Sequence, residues 1–145
     1  MTTALEGFNP VVALMGRIIA SGNDHPKVRL SFADKPLALT VAGARSRNPG
    51  AVNLTDGKGY ADSTFYGRIT VAGEFQPAAA AKALPAAAKA ELWTMLQRMK
   101  AGEAEAVFAE FGHAFGQCCI CGRELTNAES VAIGIGPICR ERAFG

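Results

Sequence analysis

The chain has 145 residues, 49% of them hydrophobic and 19% charged, with a formal net charge of +2. That length suits one domain, or one domain with a small appended module, and it buries enough core to fold without disulfides. The near balance of 15 Lys and Arg against 13 Asp and Glu excludes a polybasic coat but leaves room for a local basic patch.

In chain order, Phe8, Val11, Met15, Ile18 and Ile19 recur at helical spacing and predict a first helix, with Pro10 in its first turn and Ser21-Gly22-Asn23-Asp24 ending it. Strands follow. Val28, Leu30 and Phe32 alternate with Arg29 and Ser31, and Leu37, Leu39 and Val41 alternate after a turn at Ala33–Pro36. Val52 and Leu54 predict a short third strand. Thr64 to Ala72 reads as the longest strand, with Phe65, Ile69 and Val71 on the buried face and Tyr66, Arg68 and Thr70 on the wetter one. Residues 77–90 are rich in Ala and Pro. A helix is expected from about Ala86 to Met99, then a shorter one from Glu103 to about Phe111. The expected fold is therefore α+β: an N-terminal helix, a small antiparallel sheet of about four strands, two helices and a C-terminal metal knuckle. Residues 1–112 form the body, with 77–90 inside it, and residues 113–145 form the cysteine module.

Targeting features are weak. The apolar stretch 10–20 is broken by Arg17 and has no basic segment before it, which argues against a signal peptide, and no apolar run reaches the length of a membrane helix. The expected location is the cytoplasm, that of a host cell if the chain is phage-encoded.

All four cysteines, Cys118, Cys119, Cys121 and Cys139, lie in the last 28 residues. A disulfide framework would spread them along the chain, so the clustering points to a local metal site in a reducing compartment. Cys118 and Cys121 make a C-x-x-C pair that one tight turn can aim at one cation, and Gly122 stands where that turn can need positive φ. Thr126 and Glu129 have capping-box spacing. Pro137 suits the start of a last helix, which puts Cys139 in its first turn, where the dipole favours a thiolate. The layout is treble-clef-like, with structural zinc held by Cys118, Cys121 and Cys139. His113 is the preferred fourth ligand and Cys119 the alternative, although adjacent residues in a tight turn point in different directions. A water as fourth ligand would leave an open site, but no Glu or His constellation nearby supports hydrolysis.

The run C-x-x-C-G-R-x-L-T, then Ser130, then G-I-G-P-x-C over residues 118–142 resembles an uncharacterised cysteine-containing domain found at the end of small phage proteins and beside Snf2-type helicases. The resemblance implies a zinc-finger-like fold in nucleic-acid-processing settings and no known reaction. The loop at 43–50 and Tyr66-Gly-Arg-Ile69 also resemble phage chains of this type, more faintly.

A binding surface is suggested by the loop Gly43–Gly50, where Arg45 and Arg47 sit among turn residues, with Lys58, Tyr60 and His25–Lys27 on its rim. On the sheet, Tyr66 and Arg68 share the open face, and Arg29 can join them. An aromatic beside cations suits single strands, because bases stack and cations follow the backbone. Arg123, Arg140 and Arg142 add charge near the cysteines. No Walker loop, nucleophile elbow, H-E-x-x-H or catalytic carboxylate pair is present. The reading is a non-enzymatic, phage-type accessory protein that binds nucleic acid, single-stranded DNA favoured, through Arg29, Arg45, Arg47, Lys58, Tyr66 and Arg68. The alternative is a protein-interaction module that binds or inhibits a host machine such as RNA polymerase, a nuclease or a defence complex. Trp93, Met95, Met99 and Phe108 favour that reading, and they could also form a homo-oligomer seam.

Overall fold

The computed structural model describes residues 5–20, 27–58 and 62–145. The expected helix end at Ser21–Asp24 and the expected rim residues His25 and Tyr60 lie outside the described residues. The elements run α1 (Asn9–Ala20), β1 (Lys27–Phe32), β2 (Lys35–Val41), β3 (Val52–Thr55), β4 (Phe65–Ile69), β5 (Phe75–Pro77), α2 (Ala79–Lys82), α3 (Ala86–Lys100), α4 (Ala104–Phe115), α5 (Ala128–Ile133) and α6 (Pro137–Phe144). The fold is α+β, and its antiparallel sheet has five strands in the order β1-β2-β3-β4-β5.

The core follows from strand alternation. Val28, Leu30, Leu37, Leu39, Val52, Leu54 and Ile69 lie on one face and are buried. Helices cover this face. Phe8 and the α1 residues Val11, Leu14, Met15 and Ile18 are buried there, as are Leu92, Leu96 and Met99 of α3 and Val107 and Phe108 of α4. Burying each such large side chain contributes about 1.5–3 kcal/mol. The expected domain boundary at residue 112 falls within α4, which runs on to Phe115.

The long fourth strand was expected to run to Ala72. It stops at Ile69. The chain turns tightly there, with the Gly73 N–H donating to the Thr70 carbonyl (2.8 Å) and the Thr70 N–H to the Glu74 carbonyl (2.8 Å), and returns as β5. Val71 therefore sits in the turn, 62% exposed, and does not face the core.

A second departure reverses two side chains. Leu54 pairs with Gly67, but the next residue, Thr55, pairs with Phe65, so Tyr66 is an extra, bulged residue. Phe65 consequently faces outward. Tyr66 turns into the core, 6% exposed, with its ring edge-on to Phe32 at 5.6 Å. Gly67 permits this: its φ is +147°, and a Cβ there would stand 2.6 Å from the Gln76 carbonyl oxygen. Arg68 resumes the outward face. Gly67→Ala should destabilise the protein by about 2 kcal/mol in urea unfolding, from strain plus that clash; a loss below a few tenths would show that the bulge relaxes without glycine.

Candidate metal centre and outer sheet face

The C-terminal segment shows how its motif is built. The helix α4 ends at Gly116 (φ +70°), and a short hairpin follows. In it the Cys118 N–H donates to the Arg123 carbonyl (2.9 Å), the Gly122 N–H to the Cys118 carbonyl (2.8 Å) and the Leu125 N–H to the Gly116 carbonyl (2.8 Å). Gly122, at φ +77°, lets the turn close. The first turn of α5 is capped by Asn127, whose Oδ1 accepts from the Ser130 N–H (2.8 Å), so the cap lies one residue beyond the expected Thr126. Ser130 is buried, and its hydroxyl donates to the Asn127 carbonyl (3.1 Å).

Gly-Ile-Gly-Pro then does four things in four residues. Gly134 stops α5 in the left-handed region and lies against α4: a Cβ on Gly112 would overlap the Gly134 carbonyl oxygen. Ile135 is fully buried. Gly136 brings its backbone past the Cys118 sulfur, and Pro137 opens α6 at a position that needs no N–H.

The outcome is a thiol triad. The sulfurs of Cys118, Cys121 and Cys139 all lie within 4.8 Å of one another. A tetrahedral zinc with Zn–S of about 2.3 Å holds its sulfurs about 3.8 Å apart, so the donor set and spacing fit a thiophilic ion. Cys118 is held well below the ordinary thiol range, first by the Cys139 thiol donating to it and then by the N–H groups of Cys121, Gly136 and Ile120. Cys139 is raised, because it keeps the proton shared with Cys118. Pre-aimed backbone donors that favour a thiolate also favour its metal complex.

Neither residue considered as fourth ligand joins the triad among the described residues. Cys119 is fully buried in the hydrophobic core, and burial pushes its thiol up. Its carbonyl accepts from the Arg29 N–H of strand β1 (2.8 Å). With Cys119 and Ile120 buried in the core, Cys118 and Cys121 are the hairpin cysteines that join the triad. His113 is exposed, and its Nε2–H donates to the Ala132 carbonyl (2.9 Å).

The other expected residues are divided among three places, the outer face of the sheet, the loops at its two ends and the core. Cross-strand register places Lys27, Thr40, Asn53, Arg68 and Gln76 in one polar row. Arg29, Ala38, Thr55 and Phe65 form the next. The Arg68 guanidinium lies over the Phe65 ring, 5.2 Å from its centroid, and its Nε is buried with no hydrogen-bond partner. Arg45 and Arg47 are exposed in the β2–β3 loop, at one end of β3, and Lys58 is exposed beyond the other end. Lys27 Nζ donates to the Gly57 carbonyl (3.0 Å), which draws the β3–β4 loop over Ala38. Thus Tyr66 does not stand beside Arg68 on this face; Phe65 does. The sequence signal for this exchange was the glycine within the strand.

Residues 108–144, about a quarter of the chain, match the model of a family of unknown function, DUF6011. The match takes in the whole triad together with the second half of α4, α5 and α6. No curated protein and no solved structure matches the chain. Among the described residues, no helix is long and apolar enough to cross a membrane.

Replacing the cysteines singly should separate ligand from core. Cys118→Ser, Cys121→Ser and Cys139→Ser are each expected to lose bound metal in elemental analysis. Cys119→Ser should keep the metal and lose about 1–3 kcal/mol of stability, by burying a hydroxyl in apolar surroundings. Retention of metal in all of the first three would rule out the triad as the centre.

Proposed function

We propose that the chain is a nucleic-acid-binding accessory protein, with single-stranded DNA as the favoured ligand, and that its cysteine triad holds a structural zinc. The observation that carries the reading is the Phe65–Arg68 stack on the outer sheet face. A 36% exposed ring offers a base a surface to stack on. The guanidinium beside it has a buried Nε without a partner, and a phosphate oxygen is a natural acceptor for the group. Asn53 and Gln76 flank Arg68 on neighbouring strands, and Arg29 stands in the adjoining row. Zinc suits a three-thiolate set, and binding it would stabilise a hairpin and two short helices that bury few apolar side chains of their own.

A second reading, a module that docks on a protein partner, is favoured by one feature. An apolar groove of about 460 Å³ lies between β5 and α3, lined by Phe75, Pro77, Ala81, Leu92, Trp93 and Leu96.

Fluorescence anisotropy with labelled single- and double-stranded oligonucleotides across a salt series tests both. We expect single strands to bind more tightly and affinity to fall as salt rises. Phe65→Ala and Arg68→Ala should each weaken binding about tenfold, within the ~1–3 kcal/mol of a stacked base, while Trp93→Ala leaves it unchanged. Absence of salt-sensitive binding at micromolar protein would reject the nucleic-acid reading. Loss of binding confined to Trp93→Ala would move the site to the groove.

A further inference from the structure

We propose that the metal held by the triad takes its fourth ligand from outside the chain, as a carboxylate whose second oxygen is received by Arg142 or Arg123. The inference rests on the metal reading above and adds a ligand to it. Three observations lead to it.

The donor count is three among the described residues. Cys119 is turned into the core, and the Nε2–H of His113 is engaged by Ala132. A tetrahedral ion needs one donor more.

The triad also opens onto space. All three cysteines line one cavity of about 460 Å³, whose remaining wall includes Arg123, Arg142, Thr126 and Asn127. Its volume is many times the ~30 Å³ share of one water, so it accommodates an organic acid group as well as the ion.

The charges of that wall select the ligand. A divalent ion with three thiolates carries a net charge of about −1 by formal count. A fourth anion brings this to about −2, which two guanidiniums offset. Neither Arg123 nor Arg142 has an ion-pair partner among the described residues, whereas Arg140, on the same helix as Arg142, pairs with Glu105 at 2.6 Å. An imidazole would leave the guanidiniums without an acceptor, and a thiolate would offer only the one sulfur already on the ion. A carboxylate supplies one oxygen to zinc and another to an arginine fork. Glu124 also lines the cavity, but it does not belong to the cluster of ligand atoms.

The test uses the full chain loaded with cobalt(II), whose visible absorption reports its ligands. Acetate is titrated in, and in parallel a blocked peptide with one glutamate. We expect a saturable spectral change with one cobalt bound throughout. Arg142→Gln combined with Arg123→Gln should raise the half-saturating acetate concentration about tenfold, the scale of one charge-assisted hydrogen bond. Equal response to acetate and peptide identifies a small acid as the ligand, and tighter binding of the peptide identifies a protein side chain; both support the proposal. A cobalt-loaded protein whose spectrum ignores both probes overturns it. So does a changed acetate-free spectrum in Glu124→Gln, His113→Ala or His25→Ala, which would mark an internal fourth ligand. Failure to bind cobalt at all would instead refute the metal reading, and this inference with it.

Discussion

A single backbone hydrogen bond, from the Arg29 N–H to the Cys119 carbonyl, joins the cysteine hairpin to the edge of the sheet. It sets the orientation of everything around it. The Cys119 peptide faces β1 and its side chain enters the core, so Cys118 and Cys121 are left to face Cys139. Two further attachments hold the segment to the body. Gly112 of α4 and Gly134 meet at a separation that excludes any side chain, and the Arg17 Nε of α1 donates to the Ala143 carbonyl of α6 at 2.7 Å. Ala143 is fully buried, and Phe144 packs edge-on against Phe108. The triad thus stands where a sheet edge and two helices of the body fix the ends of its supporting elements.

Much of this was legible in the sequence because it is local. Period-2 alternation gave the strands from Lys27 to Thr55, and helical spacing gave α1, α3 and α4. The thiol pair, Gly122 and Pro137 identified the three cysteines that converge. What escaped was decided by register. Nothing in Phe65-Tyr66 says which ring faces inward; the bulge opposite Leu54 and Thr55 decides it, and only Gly67 hinted at a bulge. Strand β5 escaped because three residues carry too little periodicity to read. The place of Cys119 depends on the N–H of Arg29 in β1, ninety residues earlier in the chain, a contact that spacing within the hairpin cannot report.

The two faces of the sheet divide the molecule's chemistry. The inner face is closed by helices and is apolar apart from the Tyr66 hydroxyl. The outer face is polar across all five strands and has one aromatic ring, brought there by the same bulge that sends Tyr66 inward. One irregularity therefore completes the core and furnishes the exposed ring together. Arg68 benefits from both: the regular pairing of β4 with β3 and β5 keeps it outward, and the displaced Phe65 gives its guanidinium a surface to lie on.

The flanks of the sheet are closed by different means. At one side, Pro77 ends β5 and has no N–H to offer a further strand. At the other, β1 is guarded by the cysteine hairpin, whose order the thiols help to set. Protection on that side is chemically conditional. A chelator or oxidant that loosens the hairpin would bare a strand rich in Val, Leu and Phe as a template for polymerisation. Metal occupancy would then govern the exposure of a strand edge in addition to local shape, and it would do so on one side of the sheet only.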